Sequence, residues 1–347
     1  MKNKNKQPQG SGKKLATKLT AASLLLATLG LPFAANAEGQ IRIAQQFGIV
    51  YLLLNVAQDQ HLIEKQGKAE GLDIKVDYRQ LSGGAAVNEA LLSGSVDVAG
   101  AGTGPLFTLW DRTKGRQNVR AITTTGQFPY YLISTDPKVK TIADFTEKDR
   151  IAIPAVGVSA QSRTLQMASA QLWGDKNYNR LDKLQVAVPH PDATAAIISN
   201  GTEINAHFGN SPFQEQELAA NPKAHIVLNS YTVAGGPTTP VVLYTTQKFH
   251  DENPRTYRAF VAALDEAAKW SAAHPEEAAD AFIRVNNSKI DRNLLIKILK
   301  NPEVKFTIEP ENTLSMAQFL YRVGAIKNNP QSWKDYFFAD PHLVNGS

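Results

Sequence analysis

An α/β fold of two doubly wound lobes is what this sequence predicts, and three observations predict it. Strand-like and helix-like runs alternate over residues 41–123, and a second alternating series covers residues 150–229. The two series are joined by extended crossings near residues 129–135 and 235–243. Alternation at this spacing indicates open parallel sheets with helices on both faces. A chain that leaves one lobe and returns puts a cleft between them, beyond the carboxyl ends of the strands, where ligands of such sheets sit.

In the first series, residues 41–46 alternate and are rich in β-formers, and residues 51–65 place Leu52, Leu53, Val56, Leu62 and Ile63 at helical spacing. Strands follow at 72–78, 96–99 and 119–123, with helices at 85–92 and 106–112 between them. Two Gly-rich elbows, Ser82-Gly83-Gly84 and Gly100 to Pro105, each open a helix. Proline suits a first helical turn, because the N–H it lacks would have no intrahelical partner there. The helix after Gly104-Pro105 therefore aims free N–H groups over the end of the preceding strand, a place suited to an anion or a dipole.

The second series has strands at 150–153, 184–188, 204–208 and 224–229, and helices at 159–173, 192–199 and 212–219. Residues 240–246 read as a strand returning to the first lobe. Helices at 254–273, 275–285, 291–299 and 311–323 and an aromatic-rich tail complete the chain.

Residues 1–37 read as a secretory signal peptide, with six lysines and no acid up to Lys18, an apolar run over 19–33, and the small-x-small sequence Ala35-Asn36-Ala37. A membrane anchor would need about 20 apolar residues; this run is shorter and is broken by Gly30 and Pro32. Export to the periplasm with cleavage after Ala37 is expected. Removing the leader's six lysines turns a net charge of +5 into 31 basic against 32 acidic residues. The basic balance belongs to the leader, so nucleic acid is not an expected partner. With no cysteine there is no disulfide and no thiolate chemistry.

Five loops at strand ends would line the cleft. Gln45-Gln46-Phe47-Gly48 with Tyr51 offers amide donors and aromatic cover, or is a plain turn. Ser82-Gly83-Gly84 is a contact or a turn that excludes a Cβ. Thr103-Gly104-Pro105 is the strongest candidate. In the run from Val156 to Ser162, Ser159 reads as an N-cap with free N–H groups behind it, and Gln161 can turn its amide into the cleft. In the run from His207 to Pro212, His207 sits where a strand ends, as a donor to an acidic ligand or as a packing residue. Pro189-His190-Pro191-Asp192 reads as a loop histidine and a capping aspartate. No Arg or Lys lies in these loops, which argues against phosphate.

Catalytic signatures are absent from the sequence: there is no G-x-S-x-G, H-E-x-x-H or Walker loop, and no G-x-G-x-x-G with a downstream acid. The seven histidines are scattered, so no metal site is expected. Asp265-Glu266 and Glu276-Glu277 read as solvated helix faces. No cofactor and no enzymatic step are expected.

The segments LSGGAAVNEALLSGSVDVAGAGTGPL, RIAIPAVGVSAQ preceded by IADF, and INAHFGNSPFQEQEL, in that order, resemble the nitrate/sulfonate/taurine group of substrate-binding proteins of ABC importers. The resemblance covers essentially all of the chain after the leader. It implies a type II periplasmic-binding-protein fold with a two-stranded hinge, residues 38–130 plus 240–347 forming one lobe and 135–235 the other. It also implies a membrane permease and an ATPase as transient partners of a monomer. Carried over, ligand contacts fall on Gln46, Phe47, Thr103, Gly104, Ser159, Ala160, Gln161 and His207. The run Asn-Ala-His-Phe departs from an acid-plus-aromatic motif of some members, so the ligand stays open between a small anion (sulfonate, nitrate, taurine or a carboxylate) and a thiamine-precursor pyrimidine. The pyrimidine synthases of this fold use a Cys-rich signature that this chain lacks, and a sensor module is a further alternative.

Overall fold

A computed structural model of the protein describes residues 38–347, which form one compact unit. The leader reading, residues 1–37 with cleavage after Ala37, lies outside the described residues. The chain opens with β1 (Gln40–Gln45), α1 (Leu52–Asp59) and α2 (Leu62–Ala69). The expected single helix over 51–65 is broken because His61 adopts a left-handed conformation, φ 53°. Next come β2 (Lys75–Gln80), α3 (Gly84–Leu92), β3 (Val98–Gly102), α4 (Thr103–Thr113) and β4 (Arg120–Thr124).

The second series is β5 (Tyr131–Ser134), β6 (Ile151–Ile153), α5 (Ala160–Trp173), β7 (Gln185–Ala187), α6 (His190–Ser199), β8 (Ala206–Phe208), α7 (Phe213–Ala220), β9 (His225–Asn229) and α8 (Ser230–Ala234). The chain returns through β10 (Val241–Thr245) to α9 (Gln247–Glu252), α10 (Pro254–Ala273), α11 (Pro275–Asn286), α12 (Arg292–Leu299) and α13 (Leu314–Arg322). In α10, Tyr257, Phe260, Val261, Leu264, Ala267 and Ala268 are buried at the i, i+3, i+4 spacing of an amphipathic helix.

Two five-stranded sheets result, ordered β2-β1-β3-β10-β4 and β7-β6-β8-β5-β9. They are mixed rather than wholly parallel. β10 runs antiparallel to both β3 and β4, and β5 runs antiparallel to both β8 and β9. In each sheet the strand that arrives from the other series is the reversed one. Among the described residues no ladder joins the two crossings to each other as a two-stranded hinge. Gln127 in the first crossing pairs instead with Lys305, and Tyr130 exchanges hydrogen bonds with Ser230 at 2.8 and 2.9 Å.

β3 reads Val-Ala-Gly-Ala-Gly and is buried throughout. Small residues are needed there: a Cβ on Gly100 would lie 2.8 Å from the Ala44 carbonyl oxygen and 3.2 Å from the Tyr51 ring. The C-terminal tail is part of the fold. Phe337 bridges to Ala121 of β4, and the Tyr336 ring is fully buried.

The first turn of α7 carries a part-buried carboxyl, Glu215, whose Oε1 accepts from Ser211 Oγ at 2.7 Å and from Gln214 Nε2 at 3.0 Å. Burial pushes this carboxyl above the ordinary range. The folded state thus holds its proton more firmly than the unfolded chain does. Stability from this group is present at acidic pH and is lost as pH rises through the raised folded value. Glu215→Gln is expected to raise the unfolding temperature near about pH 8 and to change it little near about pH 4. Equal changes at both would show that the carboxyl titrates alike in the two states.

Candidate functional site

The carboxyl ends of β1 and β3 in one sheet, and of β6 and β8 in the other, point loops at one small cavity. From the first sheet it is lined by Gln46, Phe47, Tyr51, Gly84, Gly102, Pro105 and Val241, and from the crossing by Tyr130. From the second sheet come Pro154, Ser159, Ala160, Gln161, His190 and Asn210.

Local chemistry fixes several of these. Ser159 caps α5, its Oγ accepting from the Ser162 N–H at 3.2 Å. Ala160 and Gln161 are the first two residues of that helix, so their N–H groups have no intrahelical acceptor. They carry the positive end of a fourteen-residue helix dipole into the cavity. Opposite them, Gln46 Nε2 and the Tyr51 hydroxyl both donate to the Gly100 carbonyl, at 3.4 and 3.3 Å. Burial raises the Tyr51 phenol far above its ordinary pKa, so it stays a neutral donor.

The loop after β1 is held against the second sheet. Ile49 N–H donates to the Ser211 carbonyl at 2.9 Å, and Asn210 Nδ2 donates to the Phe47 carbonyl at 3.3 Å. Gly48 has φ 121°, a conformation that favours glycine, and a Cβ there would lie 2.6 Å from Asn210 Oδ1. The two sides meet closely elsewhere. A Cβ on Gly83 would lie 2.6 Å from the Pro154 carbonyl oxygen, and one on Gly102 would lie 2.9 Å from Ala160 Cβ. The cavity left between them is about 20 Å³ at water-sphere centres, room for about one water.

Of the residues named from the sequence, Gln46, Phe47, Ser159, Ala160 and Gln161 line this cavity. Thr103, Gly104 and His207 do not, and the structure gives each another place. Thr103 N–H donates to the Pro240 carbonyl at 3.0 Å, and its hydroxyl faces Met316 Sδ at 3.4 Å. Gly104 is pressed against the Val158 carbonyl oxygen, where a Cβ would collide. His207 is 0% exposed and lies behind His190. Neither part of the Pro189-to-Asp192 reading holds: His190 opens α6 and is a wall residue, and the cap position is Pro189. The imidazole of His190 is neutral, because burial and then the neighbouring His207 ring hold it well below its ordinary value.

No lysine or arginine lines the cavity among the described residues. Arg163, one turn into α5, donates through Nη1 to Gln166 at 2.9 Å instead. Among the described residues no group of three or more His, Cys, Asp or Glu is placed to hold a metal ion.

The family model described as NMT1/THI5 like matches residues 68–278. The chain belongs to the NMT1/THI5-like family. That stretch of the NMT1/THI5-like chain contains Gly104, α5, both wall and buried histidines, and all of the second sheet. A Brucella abortus (strain 2308) protein named only as a binding protein is 23% identical over 303 residues, covering 82% of this chain and 85% of its own length. Among solved structures, the alkanesulfonate-binding protein SsuA from Xanthomonas axonopodis pv. citri, bound to MOPS, is 17% identical with TM-score 0.63, covering 84% of this chain and 96% of that one. The periplasmic nitrate-binding protein NrtA from Synechocystis PCC 6803 is 16% identical with TM-score 0.63, covering 86% and 84%. The NMT1/THI5-like chain therefore has the two-lobed fold of periplasmic binding proteins.

Proposed function

We propose that this protein is the solute-binding component of an ABC importer, exported to the periplasm with cleavage after Ala37. Residues 38–130 with 240–347 act as one lobe and 135–235 as the other, and they close over a small anion without altering it. A sulfonate, nitrate or carboxylate head group fits the donors present. Such a monomer would dock transiently on a permease and its ATPase. The observation that carries this reading is the pair of helix N-terminal amides without an intrahelical acceptor, Ala160 and Gln161, facing Gln46 and Phe47 across one small cavity. In this reading the ligand contacts are Gln46, Phe47, Ser159, Ala160 and Gln161, joined by His190 and Asn210. A cavity with room for about one water implies that the lobes part to admit a solute and close again on it.

A second reading, a neutral pyrimidine related to thiamine precursors, is favoured by one feature of the same walls. Phe47, Tyr51 and Tyr130 supply aromatic faces while no cationic side chain among the described residues lines the cavity.

Thermal-shift screening against sulfonates, nitrate, carboxylates and pyrimidines separates these readings. A ligand at a hundredfold over its dissociation constant stabilises by about 2.7 kcal/mol. For the ligand that shifts the transition, Gln161→Ala is expected to weaken binding by about 10-fold or more, measured by calorimetry. Undiminished affinity would remove Gln161 from the site, and product formation by the purified chain would end the binding-only reading.

A further inference from the structure

A line of polar side chains leads from the cavity into the core behind the second sheet. Gln161 Nε2 lies 3.2 Å from His190 Nε2, and His190 Nδ1 lies 2.8 Å from His207 Nε2. His207 Nδ1 then meets Glu217 Oε1, which also accepts from Thr194 Oγ1 at 2.7 Å. His190 opens α6, His207 sits in β8 and Glu217 on α7. His207 and Glu217 are both 0% exposed, neither lines the cavity, and Glu217 Oε2 has no hydrogen-bond partner among the described residues.

Such a line can run in either direction. With His207 neutral and its hydrogen on Nδ1, its Nε2 accepts from His190 Nδ1–H. The bare Nε2 of His190 then accepts from the Gln161 amino group, leaving the Gln161 carbonyl for the cavity. With His207 protonated, both of its nitrogens donate, one to Glu217 and one to His190 Nδ1. His190 carries its hydrogen on Nε2, Gln161 turns its carbonyl to it, and the Gln161 amino group faces the cavity. Ring hydrogens and amide orientation follow from the network rather than from heavy-atom positions.

The buried carboxylate decides the direction. An enclosed charge is costly unless it is paired and hydrogen-bonded, and among the described residues no lysine or arginine is paired with Glu217. Glu215, two residues earlier on α7, is engaged with Ser211. Arg163 on α5 is engaged with Gln166. Tyr51 and Tyr130, also in the cavity wall, are phenols kept neutral by burial. Among the described residues the basic side chain paired with the Glu217 carboxyl is the His207 ring. Phe213 stacks on His190 with centroids 5.6 Å apart and planes 18° from parallel, which holds the ring in the plane this line needs.

We propose, resting on the solute-binding reading above, that the Glu217–His207 pair is a positioning device for the cavity. It fixes His190 as the Nε2–H tautomer and turns the Gln161 amino group toward the ligand, so the site selects an acceptor atom there over a donor. An anion's oxygen or a heterocycle's ring nitrogen meets that requirement. The positive charge stays on His207, balanced by Glu217, and never reaches the wall. This gives a cavity without lysine or arginine a way to present donors, and it agrees with the neutral state of His190.

Long-range ¹H–¹⁵N correlation spectra of the imidazoles, recorded without ligand, test the device directly. Two protonated nitrogens on His207 and one on His190, at Nε2, are expected. In Glu217→Gln, His207 loses a proton and the His190 hydrogen moves to Nδ1. A wild-type His190 protonated at Nδ1 overturns the proposal and needs no variant to be seen. Titrations with methanesulfonate and nitrate supply the second readout. Affinity for a probe that binds falls about 10-fold or more in Glu217→Gln, although Glu217 lies outside the cavity; equal affinity overturns the proposal. Expected tautomers with no binding of either probe would support the device and count against small-anion capture.

Discussion

Gly104→Val is expected to weaken binding of any solute held between the lobes by about 10- to 100-fold. The unfolding temperature of the ligand-free protein should change little. Gly104 is the second residue of α4, where a helical backbone accepts valine, so no local strain arises. The obstacle is across the interface. A Cβ at this position would collide with the Val158 carbonyl oxygen and lie 2.9 Å from Arg163 Cγ and 3.2 Å from the Ser159 carbonyl carbon. Arg163 can swing aside; the peptide groups of Val158 and Ser159 cannot, because they lead into the cap of α5. The second lobe would have to stay back, and the amides of Ala160 and Gln161 with it. Overpacking of this kind costs about 1–3 kcal/mol, paid only in the closed form. Calorimetry and small-angle scattering check it together. Wild-type affinity and ligand-induced compaction in the variant would show that the two lobes need not meet at Gly104.

Tyr336→Ala is expected to destabilise the protein by about 3–5 kcal/mol in urea unfolding. The ring is fully buried and packs edge-on against Phe107, centroids 4.9 Å apart at 85°, and against Trp110 at 6.0 Å and 73°. Its hydroxyl pairs with Thr313 Oγ1 at 2.9 Å, and its carbonyl accepts from Ala121 N–H at 2.8 Å. Removing the ring opens a cavity under α4 and loosens the tail from β4. Tyr336→Phe keeps the ring and loses one hydrogen bond, so about 1 kcal/mol is expected. A loss below about 1 kcal/mol in the alanine variant would mean that the tail does not contribute to the core.

The sequence made the strand and helix series readable because each element carries its own periodicity. It did not reveal that β5 and β10 run antiparallel, since those pairings join residues far apart, such as Val241 with Gly102. The cavity loops were legible where the signal was local. Ser159 is a recognisable cap, and Gln46-Phe47 follows a clear strand. His207 was harder, because all three residues of β8 are buried and alternation gives no hint of which face meets the cavity. His190 was concealed by the prolines on either side of it, which suggest a loop although they start a helix. Gly104 lies between two lining residues, Gly102 and Pro105, but its own missing Cβ makes room for the Val158 carbonyl oxygen of the opposite side.

Amide ¹⁵N–¹H shifts of Ala160 and Gln161, followed while the protein is titrated with the solute that raises its unfolding temperature, test the central claim most directly. Saturating changes concentrated at those two amides, with Gln46 and Phe47 responding in step, are the predicted result. A solute that binds to saturation while both amides stay unmoved would contradict it.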